Sequence, residues 1–377
     1  MKFMHLSDLH LGKRVNEFSM IEDQEYILTK IINIIDDEKV HGVIIAGDVF
    51  DRSMPSEEAV RLWDDFLNRL AMRRLQVFVI SGNHDSSVRL SANSRLIEGS
   101  GIHIAPVYTG EITPIVMENG TDRINIYMLP FIKPVTVRQC FPDEKIDNYT
   151  DACRVAIDRM NVDMNDTNIL VAHQFVAGAV TCDSEEIVVG GLDNVDPSVF
   201  DIFDYVALGH IHGKQRAGKD TIRYCGTPLK YSFSEMNHIK SATIVEVNNK
   251  EIDIREIPLV PKRDLRQIKG TYDYLTAKEN YQGTAVDDYL QVVLTDEDDI
   301  LDAMGKLRVI YPNIMKLSYD NKRSSLNQHV EESKDIENKT PLELFEELFM
   351  LQNNQEMSEE QRKFTEDLME SIGGRSL

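Results

Sequence analysis

Cysteine is scarce in this chain. Four occur in 377 residues (Cys140, Cys153, Cys182 and Cys225), and no two form a C-x-x-C pair. That spacing excludes a disulfide framework and a zinc knuckle, and it fits a reducing, cytoplasmic setting. No run of 18 apolar residues occurs, so no membrane-spanning helix is expected. The opening stretch Met-Lys-Phe-Met-His-Leu-Ser-Asp is too short and too polar for a signal peptide. Positive charge is also in short supply: 41 Lys and Arg stand against 63 Asp and Glu, a net charge of -22. Spread evenly, that balance would argue against a nucleic-acid partner. It is not even, because residues 331–377 hold 13 acidic and 5 basic side chains and supply -8 of the total.

What the chain does contain is an ordinary globular mixture, 42% hydrophobic and 28% charged, with length for two domains and a short third element. Short apolar runs at 2–7, 43–46, 77–81, 124–129, 168–172 and 205–208 read as strands covered on both faces. Between them, Ile27, Ile31, Ile34 and Ile35 form one helical stripe. Ala59, Trp63, Phe66, Leu67 and Leu70 form another, starting near Pro55. Segments 222–225, 241–247 and 252–257 are strand-like. The pattern predicts a large α/β domain over 1–258, closed by the break Pro258-Leu-Val-Pro261. A small α+β domain follows over 259–320, with strands at 289–294 and 315–319 around a helix near 298–310. The polar stretch 321–339 reads as a linker. The tail, 340–377, carries two helix starts, the capping boxes Thr340-Pro341-Leu342-Glu343 and Ser358-Glu359-Glu360-Gln361. Leu344, Phe345, Leu348 and Phe349 stripe the first of these helices; Phe364, Leu368 and Ile372 stripe the second.

The chemistry gathers at the strand ends. The first run ends in Asp8-Leu-His10, the second in Gly47-Asp48, and the third in Gly82-Asn83-His84-Asp85. The run at 168–172 ends in His173, and the last in Gly209-His210-Ile-His212. In open α/β sheets these carboxyl ends line the binding crevice. In extended chain Asp8 and His10 would face the same way and reach one ion together or straddle two. Calcium would want six to eight oxygens and a structural zinc or iron–sulfur site thiolates; imidazole with carboxylate suits manganese, iron or zinc in a catalytic site. Seven donors (Asp8, His10, Asp48, Asn83, His173, His210, His212) exceed one tetrahedral ion. They suit two, roughly 3.5–4 Å apart, that clamp a phosphoester and make hydroxide available. His84, beside Asn83, would be able to give a proton to the leaving oxygen. Singly, each has a plainer reading: Asp8 as a cap, Asn83 as a turn residue, His173 as a core histidine. Five of the ten histidines falling at strand ends in ordered spacing is what chance does not supply. His5, His41, His103, His238 and His329 read as structural or surface residues.

These five motifs, in order, resemble the calcineurin-like metallophosphoesterase signature. The stretches "SDLHLGK", "AGDVFDRSMPS", "VISGNHDSSVRL", "YVALGHIHGKQ" and "YCGTPLKYSFSE" are further similar to the SbcD family, the bacterial branch of the double-strand-break repair nucleases. The likeness continues through "DYLQVVLTDEDDILDA" and "LRVIYPNIMKL". The resemblance implies a two-sheet αββα sandwich with a capping domain. It implies a first ion on Asp8, His10, Asp48 and His212 and a second on Asp48, Asn83, His173 and His210, with Asp48 bridging. The ions would be two manganese, with magnesium or other divalent ions as possible substitutes, and His84 would be the catalytic histidine. Archaeal relatives carry a second helper histidine where this chain has Asp51. The resemblance also implies an SbcC-type coiled-coil ATPase as partner and a homodimer within a heterotetramer. The apolar stripes of the tail helices beyond the polar linker suit docking on that partner's helices, the alternative being packing against the chain's own second domain. The activity would be ATP-dependent exonuclease action on double-strand ends with endonuclease action on single strands and hairpins, serving DNA repair, recombination and replication in the nucleoid. Lys13, Arg14, Arg89, Arg95, Lys214 and Arg216, together with Lys219, follow the metal motifs and are candidates for DNA contact. A small-ester or cyclic-nucleotide phosphodiesterase, or a protein phosphatase, shares the motifs but has no use for the 264–320 segment and tail. A non-catalytic scaffold would have lost ligands, and none is lost.

Overall fold

The computed structural model describes residues 1–120, 122–185, 194–321, 341–353 and 357–373. Two compact units divide the chain, Met1–Asp264 and Leu265–Leu377. The first begins β1 (Lys2–Leu6), β2 (Arg14–Val15), β3 (Phe18–Ser19), α1 (Ile21–Glu38), β4 (Gly42–Ala46), α2 (Glu57–Met72) and β5 (Gln76–Ile80). Two short helices, α3 (Ser87–Leu90) and α4 (Ser94–Ile97), lead to β6 (Ile102–Ile104). Then come β7 (Ile115–Asn119), β8 (Asp122–Leu129), α5 (Pro134–Cys140), α6 (Tyr149–Asp158), β9 (Thr167–His173), β10 (Tyr205–Gly209), β11 (Gln215–Ala217), β12 (Lys219–Tyr224), β13 (Ser241–Asn248) and β14 (Glu251–Pro258).

These strands form two six-stranded sheets, ordered β14-β13-β1-β4-β5-β6 and β11-β12-β10-β9-β8-β7. In the first sheet β1, β4 and β5 run parallel, and in the second β8, β9 and β10 do. Parallel neighbours need crossovers, and α1 and α2 supply them. Alternate residues of the two sheets meet in one core: Phe3, Ile44, Ala46, Phe78 and Ile80 pack with Ile124, Ile126, Ile169, Val171 and Ala207. The outer face of the second sheet, including Leu129, Leu170, Ala172 and Leu208, packs with Val137 of α5 and Ala152, Cys153, Ala156 and Ile157 of α6. Val43 and Ile45 on the first sheet's other face are equally buried. The result is the expected sandwich. The stripe on α1 is buried through Ile27, Ile31 and Ile35, each such side chain contributing about 1.5–3 kcal/mol on leaving water. Helix α2 starts two residues after Pro55, because Ser56 takes the cap and accepts from Ala59 N at 3.3 Å.

The second unit opens with β15 (Leu265–Gly270), α7 (Tyr272–Thr276), α8 (Lys278–Tyr281), β16 (Tyr289–Leu294), α9 (Ala303–Arg308) and β17 (Ile314–Tyr319). Its sheet, β15-β16-β17, is parallel throughout. Leu290, Val292, Leu294, Leu307, Tyr311 and Ile314 form its core. Residues 322–339 of the expected linker and the cap residue Thr340 lie outside the described residues. Two helices follow, α10 (Pro341–Asn353) and α11 (Glu359–Gly373). The second capping box is present: Ser358 N donates to Gln361 Oε1 at 2.9 Å and Gln361 N to Ser358 Oγ at 3.2 Å. Of the striping residues, Leu344, Phe345, Leu348, Phe364 and Leu368 are exposed.

Candidate metal centre

Five segments meet at the carboxyl ends of β1, β4, β5, β9 and β10. Asp8 and His10 do not stand on extended chain, as the alternation argument expected. Strand β1 stops at Leu6, and both residues take left-handed backbone, at φ 52° and 45°. Asp48 (φ 50°) and His210 (φ 105°) do the same. Four of seven expected ligands thus sit in a region that non-glycine residues enter at a cost. Each left-handed residue turns the chain sharply off its strand, and backbone bonds lock the turns: Asp8 N donates to Gly47 O and His10 N to Asp48 O, both at 3.0 Å.

The side chains converge. His10 Nε2 lies 3.1 Å from His212 Nε2 and 3.8 Å from Asp48 Oδ2. His173 Nε2 lies 3.3 Å from Asp48 Oδ2 and 3.0 Å from Asn83 Oδ1, and His210 Nδ1 is 2.9 Å from that same oxygen. Both Asp8 oxygens accept from His210 N at 3.1 Å. Asp8, His10 and His212 each offer a donor atom within 4.8 Å of the other two, and so do Asp8, Asp48 and His173. Apart from half-buried Asn83, none of the seven is more than 6% exposed.

The electrostatics call for cations. His173 Nδ1 lies 2.8 Å from the Ala46 carbonyl, which can only accept, so that nitrogen carries a proton. In a neutral ring Nε2 would then point a lone pair at the oxygens of both Asn83 and Asp48. Positive charge is what relieves this. Burial disfavours the protonated ring, yet the Asp48 carboxylate, with Asp8 adding, outweighs it and holds His173 up to about 9. Asp48 is correspondingly held well below the carboxylate range: burial opposes, but His173, His10 and His84 prevail. Burial pushes Asp8 up to about 6, with His173 opposing it. Burial carries His10 well below its ordinary value and His210 down to about 3, leaving both rings neutral and able to donate lone pairs. Nitrogen and oxygen donors without sulfur, buried around one central carboxylate, fit a pair of divalent cations.

His84 stands at the rim. Its Nδ1 donates to the Asp51 carbonyl at 2.9 Å, its backbone N donates to Asp48 Oδ1 at 2.9 Å, and its Nε2 is 4.0 Å from Asp48 Oδ2. The Asp51 carboxylate, at the helper-histidine position, pairs with Lys13 at 2.8 Å and lies 3.8 Å from His10 Nδ1. Sequence reasoning missed the supporting residues. Asp85, pushed up to about 6 by burial and by Asp48, accepts from Val49, Phe50 and Gly82 backbone N–H groups at 3.1, 2.9 and 2.9 Å. It thereby ties the Asp48 loop to the Asn83 loop; its place in the Gly-Asn-His-Asp motif was the available signal. Gln24 braces His10 by donating to its carbonyl at 2.7 Å, a role that no motif announces. Of the basic candidates, Lys13, Lys214, Arg216 and Lys219 pair with Asp51, Glu256, Asp220 and Asp201. Arg14, Arg89 and Arg95 are exposed, and Arg14 and Arg89 donate to backbone carbonyls. His5 is a buried core histidine 2.9 Å from Tyr205 OH, and His103 bonds Gln76. His41 accepts from Lys2 N, His238 is half-buried, and His329 lies outside the described residues.

The glycines at the motif starts are fixed by close approach. A Cβ on Gly209 would lie 1.9 Å from Ala46 O and 2.7 Å from His173 Nδ1; one on Gly82 would lie 2.1 Å from Asp48 Oδ1. Gly209→Ala is therefore expected to destabilise the protein by about 1–3 kcal/mol and to weaken metal uptake, because the clash displaces a ligand. Thermal melts with and without manganese check this; a variant with wild-type melting and metal response would contradict it.

Family models and known proteins match this chain. Residues 1–214 match the family model for calcineurin-like phosphoesterases. Residues 261–353 match the one described as the type 5 capsule protein repressor C-terminal domain. The SbcD component of the SbcCD nuclease from Staphylococcus epidermidis is 35% identical over 323 residues, covering 84% of this chain and 85% of that protein. Among solved structures, a dimetal phosphatase from Danio rerio matches at 11% identity and a TM-score of 0.41, over 69% of this chain and 96% of its own. The protein TT1561 of Thermus thermophilus matches at 11% and 0.40, over 68% and 98%.

Proposed function

From the premise that the chain belongs to the calcineurin-like phosphoesterases and, within them, to the SbcD family, we infer that it is a metal-dependent nuclease that cuts the phosphodiester backbone of DNA. The observation that carries this is the convergence of seven nitrogen and oxygen donors, Asp48 central among them and all but half-buried Asn83 buried. Asp8, His10, Asp48 and His212 would hold one ion. Asp48, Asn83, His173 and His210 would hold the other; such mixed donors suit manganese, iron or zinc, and manganese is the ion that the resemblance to the SbcD family implies. When bound, the ions supply Lewis-acid polarisation of the phosphate and acidify water. The chain's own residues do the rest. The Ala46 carbonyl orients His173, and Asp8 anchors the His210 backbone. His84, held through Nδ1 by the Asp51 carbonyl, presents Nε2 to the site and in its imidazolium form protonates the departing oxygen. Arg14, Arg89 and Arg95 would hold backbone phosphates, with Lys13, Lys214 and Arg216 joining once DNA competes for their carboxylate partners.

The domain reading is a nuclease domain over 1–258, a capping domain over 259–320, a linker over 321–339 and a partner-binding tail over 340–377. The exposed apolar residues of α10 and α11 support helix docking on an SbcC-type coiled-coil ATPase. That assembly, with paired copies of each protein, would make double-strand exonuclease action ATP-dependent. It would act in the cytoplasm at the nucleoid; among the described residues no helix is long and apolar enough to cross a membrane.

Cleavage of duplex and hairpin DNA with manganese, with and without the ATPase and ATP, tests the activity. Hydrolysis confined to bis-p-nitrophenyl phosphate would favour the small-ester alternative. Deleting 340–377 is expected to leave metal-dependent cleavage but abolish co-purification with the ATPase; retained co-purification would place the dock elsewhere.

A further inference from the structure

A second carboxylate reaches the metal centre without touching it. Glu235 is fully buried, and Oε1 accepts from Ser184 Oγ at 2.6 Å and from Tyr231 N at 3.1 Å. Its other oxygen pairs with the buried Lys240 ammonium. Lys240 also donates to Thr227 Oγ1 at 2.6 Å and to the His212 carbonyl at 2.9 Å. A buried ion pair is costly, and one with every partner satisfied is rigid. Glu235 therefore stands as a fixed negative charge linked to His212 by one hydroxyl, its Oε1 itself 3.7 Å from His212 Nδ1 and beyond hydrogen-bond reach.

That hydroxyl has a single proton. Ser184 donates it to Glu235, so at its 2.7 Å contact with His212 Nδ1 it must accept. Nδ1 then carries the ring proton, and Nε2, 3.1 Å from His10 Nε2, keeps its lone pair for a cation. The backbone is held as well, since His212 N donates to Glu185 Oε1 at 2.6 Å. We infer that Glu235, acting through Ser184, is a positioning residue that fixes the tautomer and orientation of His212, so that the chain's affinity for one ion depends on this relay. The inference rests on the two-ion reading above and adds to it residues that touch neither metal nor DNA.

Replacing Glu235 would strand Lys240 and risk misfolding, so the test uses Ser184→Ala, which leaves the ion pair intact. Titrating the full chain with manganese alone in a calorimeter should give two ions for the wild type. In Ser184→Ala one of them should bind roughly 10–100-fold more weakly, the other unchanged. Ser184→Thr, which keeps the hydroxyl, should restore tight binding. Two ions bound by Ser184→Ala as tightly as by the wild type would overturn the inference, as would Ser184→Thr behaving like Ser184→Ala. A wild type that takes up no ion would overturn the two-ion reading itself, a different result.

Discussion

Replacing Asp48 with alanine is expected to empty both metal positions at once and to lower DNA cleavage by about 10³-fold or more, since charge stabilisation by such ions is worth several kcal/mol. Asp48 approaches imidazoles of both groups of donors, 3.8 Å from His10 Nε2 and 3.3 Å from His173 Nε2; Asp8 also lies within 4.8 Å of donors in both, but it is Asp48 that is read as the bridge. It is also the largest influence holding the His173 ring charged against burial. Without it the two halves lose their common anion, and four neighbouring imidazoles lose the charge that offsets a cation's approach. Metal content after dialysis, measured by elemental analysis, checks this. Retention of one tight ion would show that the halves are independent and that Asp48 does not bridge.

His84→Gln is expected to lower cleavage by about 10²–10⁴-fold with both ions retained. Geometry alone leaves another option open. A donor atom of His84 lies within 4.8 Å of donors on His10 and Asp48, so the ring could be counted among the ligands. Its placement argues otherwise. Nδ1 is committed to the Asp51 carbonyl, Nε2 is 4.0 Å from the nearest Asp48 oxygen, and its side chain is 11% exposed where those of His10 and His173 are 0%. A ring at the edge of the site can meet a substrate oxygen; a ring sealed inside it cannot. Wild-type metal stoichiometry with lost turnover in His84→Gln would mark it as the acid, and loss of an ion would make it a ligand.

The donors and the strands that present them were legible in the sequence because both follow local rules. Val43–Ala46 and Ile169–Ala172 are buried on both faces and therefore apolar without a break. The short edge strands β6 and β7 went unread, as did β15, whose run Leu-Arg-Gln-Ile-Lys-Gly buries only its first residue. An edge strand needs little apolar surface and leaves little pattern. The left-handed turns at Asp8, His10, Asp48 and His210 were also unread, because long-range bonds hold them: Asp8 N to Gly47 O, His10 N to Asp48 O, and His210 N to the Asp8 carboxylate. So was the relay through Ser184 and Glu235, whose partners lie 28 and 51 residues apart in the chain. Such contacts have no spacing for a sequence to display.

Anomalous diffraction at the manganese edge, from crystals of the full chain grown with manganese, tests the central claim most directly. The account predicts two peaks roughly 3.5–4 Å apart, one enclosed by Asp8, His10 and His212, the other by Asn83, His173 and His210, with Asp48 touching both. A single peak, or manganese found only at surface carboxylates while those seven side chains bond to one another, would contradict it.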